Sequence, residues 1–250
     1  MPERLLNKVA VITGAGSGIG RAIAVRFLNE GAKVAIFGRR RAPLDEVAEL
    51  APARVLAVEG DVTRPADLEQ LVKTTNRRFG HVDVLVPAAG MARLVPPAEC
   101  SPADISEQFA VNFTGAIETV RLFLPSLASP AAVLFVTGSL ATSGQPGLGL
   151  YNASKSALAA FAQSLAVELA PRKVRVNCLS PGPVDTPFWG KLALSTAKLK
   201  ELKEELARRS LTRTLGNADD VAEAAVFLAS DAAKSICGQE IICDGGYSVA

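Results

Sequence analysis

Short runs rich in Val, Ile and Leu recur along the chain, separated by longer stretches in which apolar residues return every three or four positions. The runs are Val9 to Ile12, Lys33 to Phe37, Arg54 to Val58, Val84 to Val86, Ala132 to Val136, Arg175 to Leu179 and Glu240 to Cys243. The longer stretches predict helices over Gly20 to Glu30, Pro43 to Leu50, Pro65 to Phe79, Pro102 to Leu127, Tyr151 to Leu169 and Asp219 to Ala229. Several of these open with a proline, whose missing N–H costs little in the first turn. Strands that are apolar throughout, instead of alternating, belong to a parallel sheet covered on both faces. The pattern therefore predicts an α/β fold, a doubly wound sheet of seven parallel strands with helices on both sides. Ligands of such a sheet bind outside the carboxyl ends of its strands. An additional segment between Pro187 and Arg209 carries Leu192, Leu194, Leu199, Leu202 and Leu206 at mostly helical spacing. It is expected to be an amphipathic surface helix that also covers the site as a lid, at about 187–210.

At 250 residues, with no low-complexity linker and no repeat of fixed period, the chain is expected to form one domain over 1–250. Its formal charge of +2 offers no broad basic field for nucleic acid or anionic lipid. The local basic run is Arg39-Arg40-Arg41. Cys100, Cys178, Cys237 and Cys243 lack metal-ligand spacing and His81 is the single histidine, so no metal is expected. No apolar run is long enough to span a bilayer, and no hydrophobic signal segment precedes Lys8; a cytoplasmic, soluble protein is the expectation.

Chemistry enters with Thr13-Gly14-Ala15-Gly16-Ser17-Gly18-Ile19-Gly20, which follows the first strand and opens the first helix. Glycines at 14, 18 and 20 permit a tight turn, close approach of backbone to a pyrophosphate and close packing of helix on strand. The helix N-terminus adds N–H groups and a favourable dipole for the anion. This is the dinucleotide-binding arrangement of a Rossmann domain. Rossmann domains that prefer NAD carry an acidic residue about twenty positions on, at the tip of the second strand. Here that tip reads Phe37-Gly38-Arg39-Arg40-Arg41. Guanidinium groups bind a 2′-phosphate through charge-assisted hydrogen bonds, so NADP(H) is expected over NAD(H), with Arg39 first and Arg40 second as phosphate ligands.

Tyr151 and Lys155 lie four residues apart and share one face of a helix. A phenol with a pKa of about 10 is a poor proton donor near neutrality, and a neighbouring cation lowers that value. At roughly 4 Å and an effective dielectric of about 20 the effect reaches about 4 kcal/mol, or about three pKa units. The sequence thus predicts a Tyr151 activated by Lys155.

Together with Asp61-Val62, Asn112, Ser139 and Pro181-Gly182, these motifs closely resemble the short-chain dehydrogenase/reductase family over almost the whole chain. The ending Gly238-Gln239-Glu240 through Asp244-Gly245-Gly246 is similar to that of bacterial 3-oxoacyl-carrier-protein reductases and related alcohol dehydrogenases. The resemblance implies hydride transfer between nicotinamide and a ketone or secondary alcohol. Tyr151 would be the general acid in reduction and the base in oxidation, and Lys155 would lower its pKa and bond the nicotinamide ribose. Ser139 would hold the substrate oxygen, and Asn112 would position Lys155 and a water chain. The dinucleotide would lie against Gly14, Ser17, Gly18, Ile19, Arg39, Arg40, Asp61, Val62, Ala88, Ala89, Gly90, Pro181, Gly182, Val184 and Thr186, with Asp61 at the adenine amino group.

One departure stands out. The family usually reads Asn-Asn-Ala-Gly after the fourth strand, where this chain has Pro87-Ala88-Ala89-Gly90, so the strand ties made by those asparagines are lost or replaced. The substrate pocket is expected between Ser139 to Leu150, Met91 to Pro96, Phe188 and Trp189, mostly apolar, which leaves substrate identity and the direction of the reaction open. An acyl carrier protein is a possible partner without support in the sequence. The resemblance implies a homotetramer built on the helices Pro102 to Leu127 and Tyr151 to Leu169 and on the last strand; a dimer is not separable from it. The competing reading is a non-catalytic NADP(H)-binding sensor or scaffold on the same fold.

Overall fold

The structure, a computed structural model, describes residues 3–139, 144–192 and 194–250, without the side chain of Lys191. The seven apolar runs form β1 (Val9–Thr13), β2 (Lys33–Gly38), β3 (Val55–Glu59), β4 (Val82–Pro87), β5 (Leu127–Val136), β6 (Val174–Pro181) and β7 (Glu240–Cys243). They make one parallel sheet in the order β3-β2-β1-β4-β5-β6-β7. β1 and β2 pair with Val9 opposite Lys33, and β1 and β4 pair with Ala10 opposite Val84. Strand order reverses between β1 and β4, so the connections that leave these two strands diverge to opposite faces and open a crevice at their carboxyl ends.

The helices are α1 (Gly18–Asn29), α2 (Arg41–Glu49), α3 (Pro65–Phe79), α4 (Pro102–Phe109), α5 (Gly115–Phe123), α6 (Gly149–Leu169), α7 (Thr196–Arg209) and α8 (Ala218–Ala229). Two cores follow from the doubly covered sheet. On one face, Ile23, Phe27 and Leu28 of α1 and Val221, Ala225 and Val226 of α8 pack on Ala10, Ile12, Val34 and Ile36. On the other, Leu68 and Leu71 of α3, Val120 and Phe123 of α5 and Leu158, Ala162 and Leu165 of α6 pack on Val11, Leu85, Val133 and Phe135. Alternate residues of β1 from Val9 to Ile12 feed opposite cores, which is why these four positions are all apolar.

The long helix expected over Pro102 to Leu127 is corrected in two places. α4 ends at Phe109, residues 110–114 form a π-helical turn, and α5 resumes at Gly115. The helix then stops at Phe123, because Pro125 lacks the N–H that another turn would use; a 3-10 turn spans Leu124–Ser126 and β5 already begins at Leu127. β5 begins at Leu127, five residues before the apolar run expected from Ala132; the remaining helices and strands agree with the sequence pattern to within about two residues at their ends. The segment after β6 contains a 3-10 helix, Pro187–Leu192, followed by α7.

Candidate active site

A cleft of about 580 Å³ lies at the carboxyl ends of the strands, over the point where strand order reverses. Every residue expected against the dinucleotide lines it, from Gly14 and Ser17 to Val184 and Thr186. Asn112 and Ser139 are instead buried behind its wall. One end of the cleft is formed by the β1–α1 turn and the tips of β2 and β3, and the other by Tyr151, Leu148 and the 187–192 segment.

The turn end is made by backbone. Gly14 has φ +69°, and a Cβ there would stand 2.7 Å from the Cα of Ala89, so neither the conformation nor the space admits a side chain. The Ala15 N–H donates to the Phe37 carbonyl at 3.2 Å, which pins the turn to the tip of β2. The Ser17 side chain makes no capping hydrogen bond to α1, and no acidic residue occupies the first turn. Its N–H groups and positive dipole end meet the cleft with no carboxylate in that turn, the chemistry that a pyrophosphate fits. Arg39 and Arg40 are exposed at this end, whereas Arg41 is held by Asp45 at 2.7 Å. Asp61 accepts from the N–H and hydroxyl of Thr63, both at 2.9 Å and both on Oδ1, while its own N–H donates to Asp67.

Replacements for the missing asparagines are visible. The Ala89 N–H donates to the Thr13 hydroxyl at 3.2 Å, which ties β4 to β1 just beyond Pro87. Asn112 clamps the next residues: its Oδ1 accepts from the Met91 N–H at 2.8 Å and its Nδ2 donates to the Met91 carbonyl at 2.9 Å. The same Nδ2 donates to the Ser154 hydroxyl at 3.0 Å, and that hydroxyl donates to the Tyr151 carbonyl at 2.7 Å. Asn112 thus joins the cleft floor to the helix that carries Tyr151. The π turn at 110–114 has the geometry to swing one side chain out of helical register, as such turns do at functional sites. Its partners are Met91 and Ser154, with Lys155 adjacent through Gly90: a Cβ on Gly90 would lie 3.4 Å from Asn112 Oδ1 and 3.5 Å from Lys155 Nζ.

Lys155 is 4 % exposed and its Nζ donates to the Val136 carbonyl at 2.7 Å. Burial lowers its pKa to about 8, against a smaller raising contribution from Cys178. Tyr151 reverses the expectation from spacing: burial alone raises its pKa to about 12. The shared helix face is present, but the ammonium is directed at a main-chain carbonyl, and desolvation of the phenol dominates.

Ser139 lies beside Asp244 and not in the cleft wall. Burial raises the Asp244 carboxyl, but hydrogen bonds from Ser248, Gly246 and Ser139 outweigh it and hold the group below its ordinary value. The position that faces the Tyr151 hydroxyl is Gly138, where a Cβ would stand 3.1 Å away. Of the segment expected to line the pocket, 140–143 lies outside the described residues.

The Tyr151 end is apolar. Ala92, Trp189, Leu192, Leu206 and Tyr247 form a buried cluster, against which Leu94, Leu148, Tyr151, Phe188, Leu199 and Leu202 are packed. The Phe188 ring lies 6.2 Å from that of Tyr151, and Trp189 Nε1 donates to the Val184 carbonyl at 2.6 Å. Lys203 of α7 pairs with Asp185 at 2.6 Å. Sequence reasoning missed Thr13 and Tyr247. Thr13 opens the glycine motif but its role depends on Ala89, remote in sequence, and Tyr247 carries no local signal, because its partners are equally remote.

The family described as "Enoyl-(Acyl carrier protein) reductase" matches residues 14–248. The L-fucose dehydrogenase of Mus musculus is 36% identical over 248 residues, covering 97% of this chain and 89% of the relative. A crystal structure of a short-chain dehydrogenase/reductase from Brucella melitensis, described as a glucose/ribitol dehydrogenase, superposes with a TM-score of 0.93 at 32% identity and covers 100% of both chains. The 3-ketoacyl-(acyl-carrier-protein) reductase of the same organism, solved with NADH, gives 0.87 at 34% identity over 98% of this chain and 99% of that one. With this sheet order, this glycine turn and these matches along its length, the chain belongs to the short-chain dehydrogenase/reductase family of oxidoreductases, whose fold binds a nicotinamide cofactor.

Proposed function

We propose that this oxidoreductase uses NADP(H) and interconverts a ketone and a secondary alcohol, with Tyr151 as the proton-transferring group. The observation that carries this reading is a single cleft with two chemically distinct ends. One presents two exposed arginines and a helix N-terminus with no acidic residue in its first turn; the other presents a phenol among apolar side chains.

The bound nicotinamide would supply or accept the hydride. At the turn end, the first-turn amides of α1 hold the pyrophosphate, and Arg39 and Arg40 hold the 2′-phosphate where Gly38 replaces a carboxylate. Asp61 keeps the adenine amino group through a carboxylate already oriented by Thr63. Pro181, Gly182, Val184 and Thr186 border the nicotinamide end. The NADH in the Brucella reductase belongs to that protein; the basic tip of β2 supports the phosphorylated cofactor here.

At the Tyr151 end, burial keeps the phenol protonated at neutral pH, the form that donates to a carbonyl oxygen during reduction. Donation leaves negative charge on the phenol oxygen, and Lys155 is the cation on the same helix face. With its pKa near 8 it is predominantly charged at neutral pH. Asn112 fixes the Met91 main chain and, through Ser154, the first turn of α6, so that Tyr151 and the cleft floor keep a constant relation. Ser139 would hold the substrate oxygen once its hydroxyl leaves Asp244, and the absent side chain at Gly138 leaves room beside Tyr151 for that oxygen.

The 187–209 segment acts as the lid. Its inner face and Met91, Ala92 and Leu148 favour an apolar ketone or alcohol over a carboxylated substrate. An acyl carrier protein as partner would need a basic rim beside this end to meet its acidic surface. A homotetramer is supported by exposed apolar residues on the two expected surfaces, Ile105 and Val167 on α4 and α6, and Ile242 on β7. Light scattering over a dilution series checks this; a monomer at every concentration would contradict it.

The test of function is titration with NADPH and NADH, followed by cofactor oxidation against apolar ketones, 3-oxoacyl thioesters and sugars. Tighter binding of NADPH with turnover of the ketones is expected. Binding without turnover across the panel would move the protein to the sensor reading.

A further inference from the structure

One hydroxyl joins three segments that reach the Tyr151 end from distant parts of the chain. Tyr247 is 1 % exposed, and its ring packs with Ala92, Trp189, Leu192 and Leu206. Gln145 Nε2 donates to the Tyr247 hydroxyl at 2.9 Å, and Arg209 Nη1 donates to the same oxygen at 3.2 Å. The Arg209 guanidinium also lies 4.5 Å above the ring centroid, a cation–π contact. Gln145 belongs to the turn that leads into α6 and Tyr151, Arg209 is the last residue of α7, and Tyr247 follows β7.

Tyr247 is itself held from within its own segment. Asp244 accepts from the N–H groups of Gly246 at 2.8 Å and Ser248 at 2.9 Å, and the Tyr247 N–H donates to the Asp244 carbonyl at 3.1 Å. Ser210, next to Arg209, donates to the Gly245 carbonyl at 2.9 Å. The hydroxyl is therefore a fixed post to which two other segments are attached. Apolar packing alone would be served by phenylalanine. A buried phenolic oxygen with two donors aimed at it adds orientation, because its partners must keep their angles as well as their contact.

We infer that Tyr247 is a positioning residue, whose hydroxyl sets α7 and the 144–148 turn in register over Tyr151 and so closes the substrate end of the cleft. It is not among the residues that line the cleft; it acts through Arg209 and Gln145. The kinetic part of this inference rests on the proposed function, whereas the structural part does not.

The test is Tyr247→Phe, which keeps the ring and removes the hydroxyl. Amide hydrogen exchange should rise in both 144–148 and 196–209 while the sheet is unchanged. The KM for the ketone should rise about tenfold, the size of one lost hydrogen bond of ordinary strength, with kcat and NADPH affinity within about twofold. Arg209→Met and Gln145→Met each cut one attachment: the first should raise exchange in α7 alone, the second in the turn alone. These two variants decide the matter if Tyr247→Phe does not fold. Unchanged exchange in both segments would overturn the inference, as would an equal loss of kcat and of cofactor affinity. If the wild type turns over no substrate, the functional reading fails while the exchange data still decide the role of Tyr247.

Discussion

At the turn end of the cleft the walls are main chain: a Cβ on Gly14 would lie 2.7 Å from the Cα of Ala89 and 2.8 Å from its N. At the Tyr151 end, a Cβ on Gly149 or on Gly190 would meet nothing within 4 Å. The first end is rigid, built from strand tips whose spacing is fixed by the sheet. The second is assembled from side chains of α6, α7, the 187–192 helix and the C-terminal segment, all leaning on one another. A site divided in this way can hold the constant part of a reaction, the dinucleotide, on backbone. It leaves the variable part, the substrate, to side chains that substitution can change.

The sharpest separation of the two ends is expected from Tyr151→Phe. Loss of a general acid costs about 10²- to 10⁴-fold in rate, so turnover should fall by about three orders of magnitude. NADPH affinity, measured by fluorescence titration, should stay within about twofold. A parallel loss of cofactor binding would mean that the two ends are not independent.

Next in size is Gly14→Ala against Gly149→Ala. The first places a side chain at φ +69° and into the Ala89 backbone, so the β1–α1 turn must move, at an expected cost of about 2–4 kcal/mol and with weakened NADPH binding. The second lies in the first turn of α6 with open space around it and should change stability by less than about 1 kcal/mol. Urea denaturation of both variants checks the contrast, and similar losses would refute the division into backbone and side-chain walls.

The same division explains what could be read from the amino-acid sequence. Gly14, Gly18 and Gly20, the basic tip of β2 and the Tyr151–Lys155 pair are encoded by spacing within one turn or one helix, so their proximity follows from the local period. The parallel sheet was legible for a similar reason: strands such as Val9–Thr13 are apolar on both faces. Helix breaks inside 102–127 were not, because the π turn at Asn112 depends on contacts with Met91 and Ser154, and only Pro125 gave a local stop signal. The Tyr151 pKa was misjudged because spacing places Lys155 on the right face but says nothing of the Val136 carbonyl that takes its ammonium, nor of how deeply the phenol is buried. Tyr247 gave no signal at all, since its partners lie at Gln145 and Arg209.

A smaller effect is expected from Arg39→Ala, which should weaken NADPH binding about 10- to 100-fold, in line with loss of a charge-assisted hydrogen bond. NADH binding should be unchanged, because that ligand has no 2′-phosphate. Arg40→Ala should do less, and an equal loss for both cofactors would remove the phosphate from this end.

The smallest effect concerns Lys155, which stands where the two ends meet, between Gly90 and Tyr151. Burial holds its pKa at about 8 against an ordinary 10.5. Between those values the unfolded chain binds a proton that the folded chain does not, so folding stability rises with pH, and it is lost as pH falls through about 8. Cys178 and Tyr151 act in the opposite direction. Burial raises both to about 12, from 9.0 and 10.0, so the stability they contribute is present below those ordinary values and is lost as pH rises through about 12. Lys155 is therefore unopposed by these two only from about pH 8 to about pH 9, where one proton is worth at most about 1.4 kcal/mol per pH unit. Urea denaturation at several pH values across that interval should show a gain approaching this size in the wild type and a flat profile in Lys155→Met. A slope that survives the substitution would assign the titration to another group and leave the two ends without a buried cation between them.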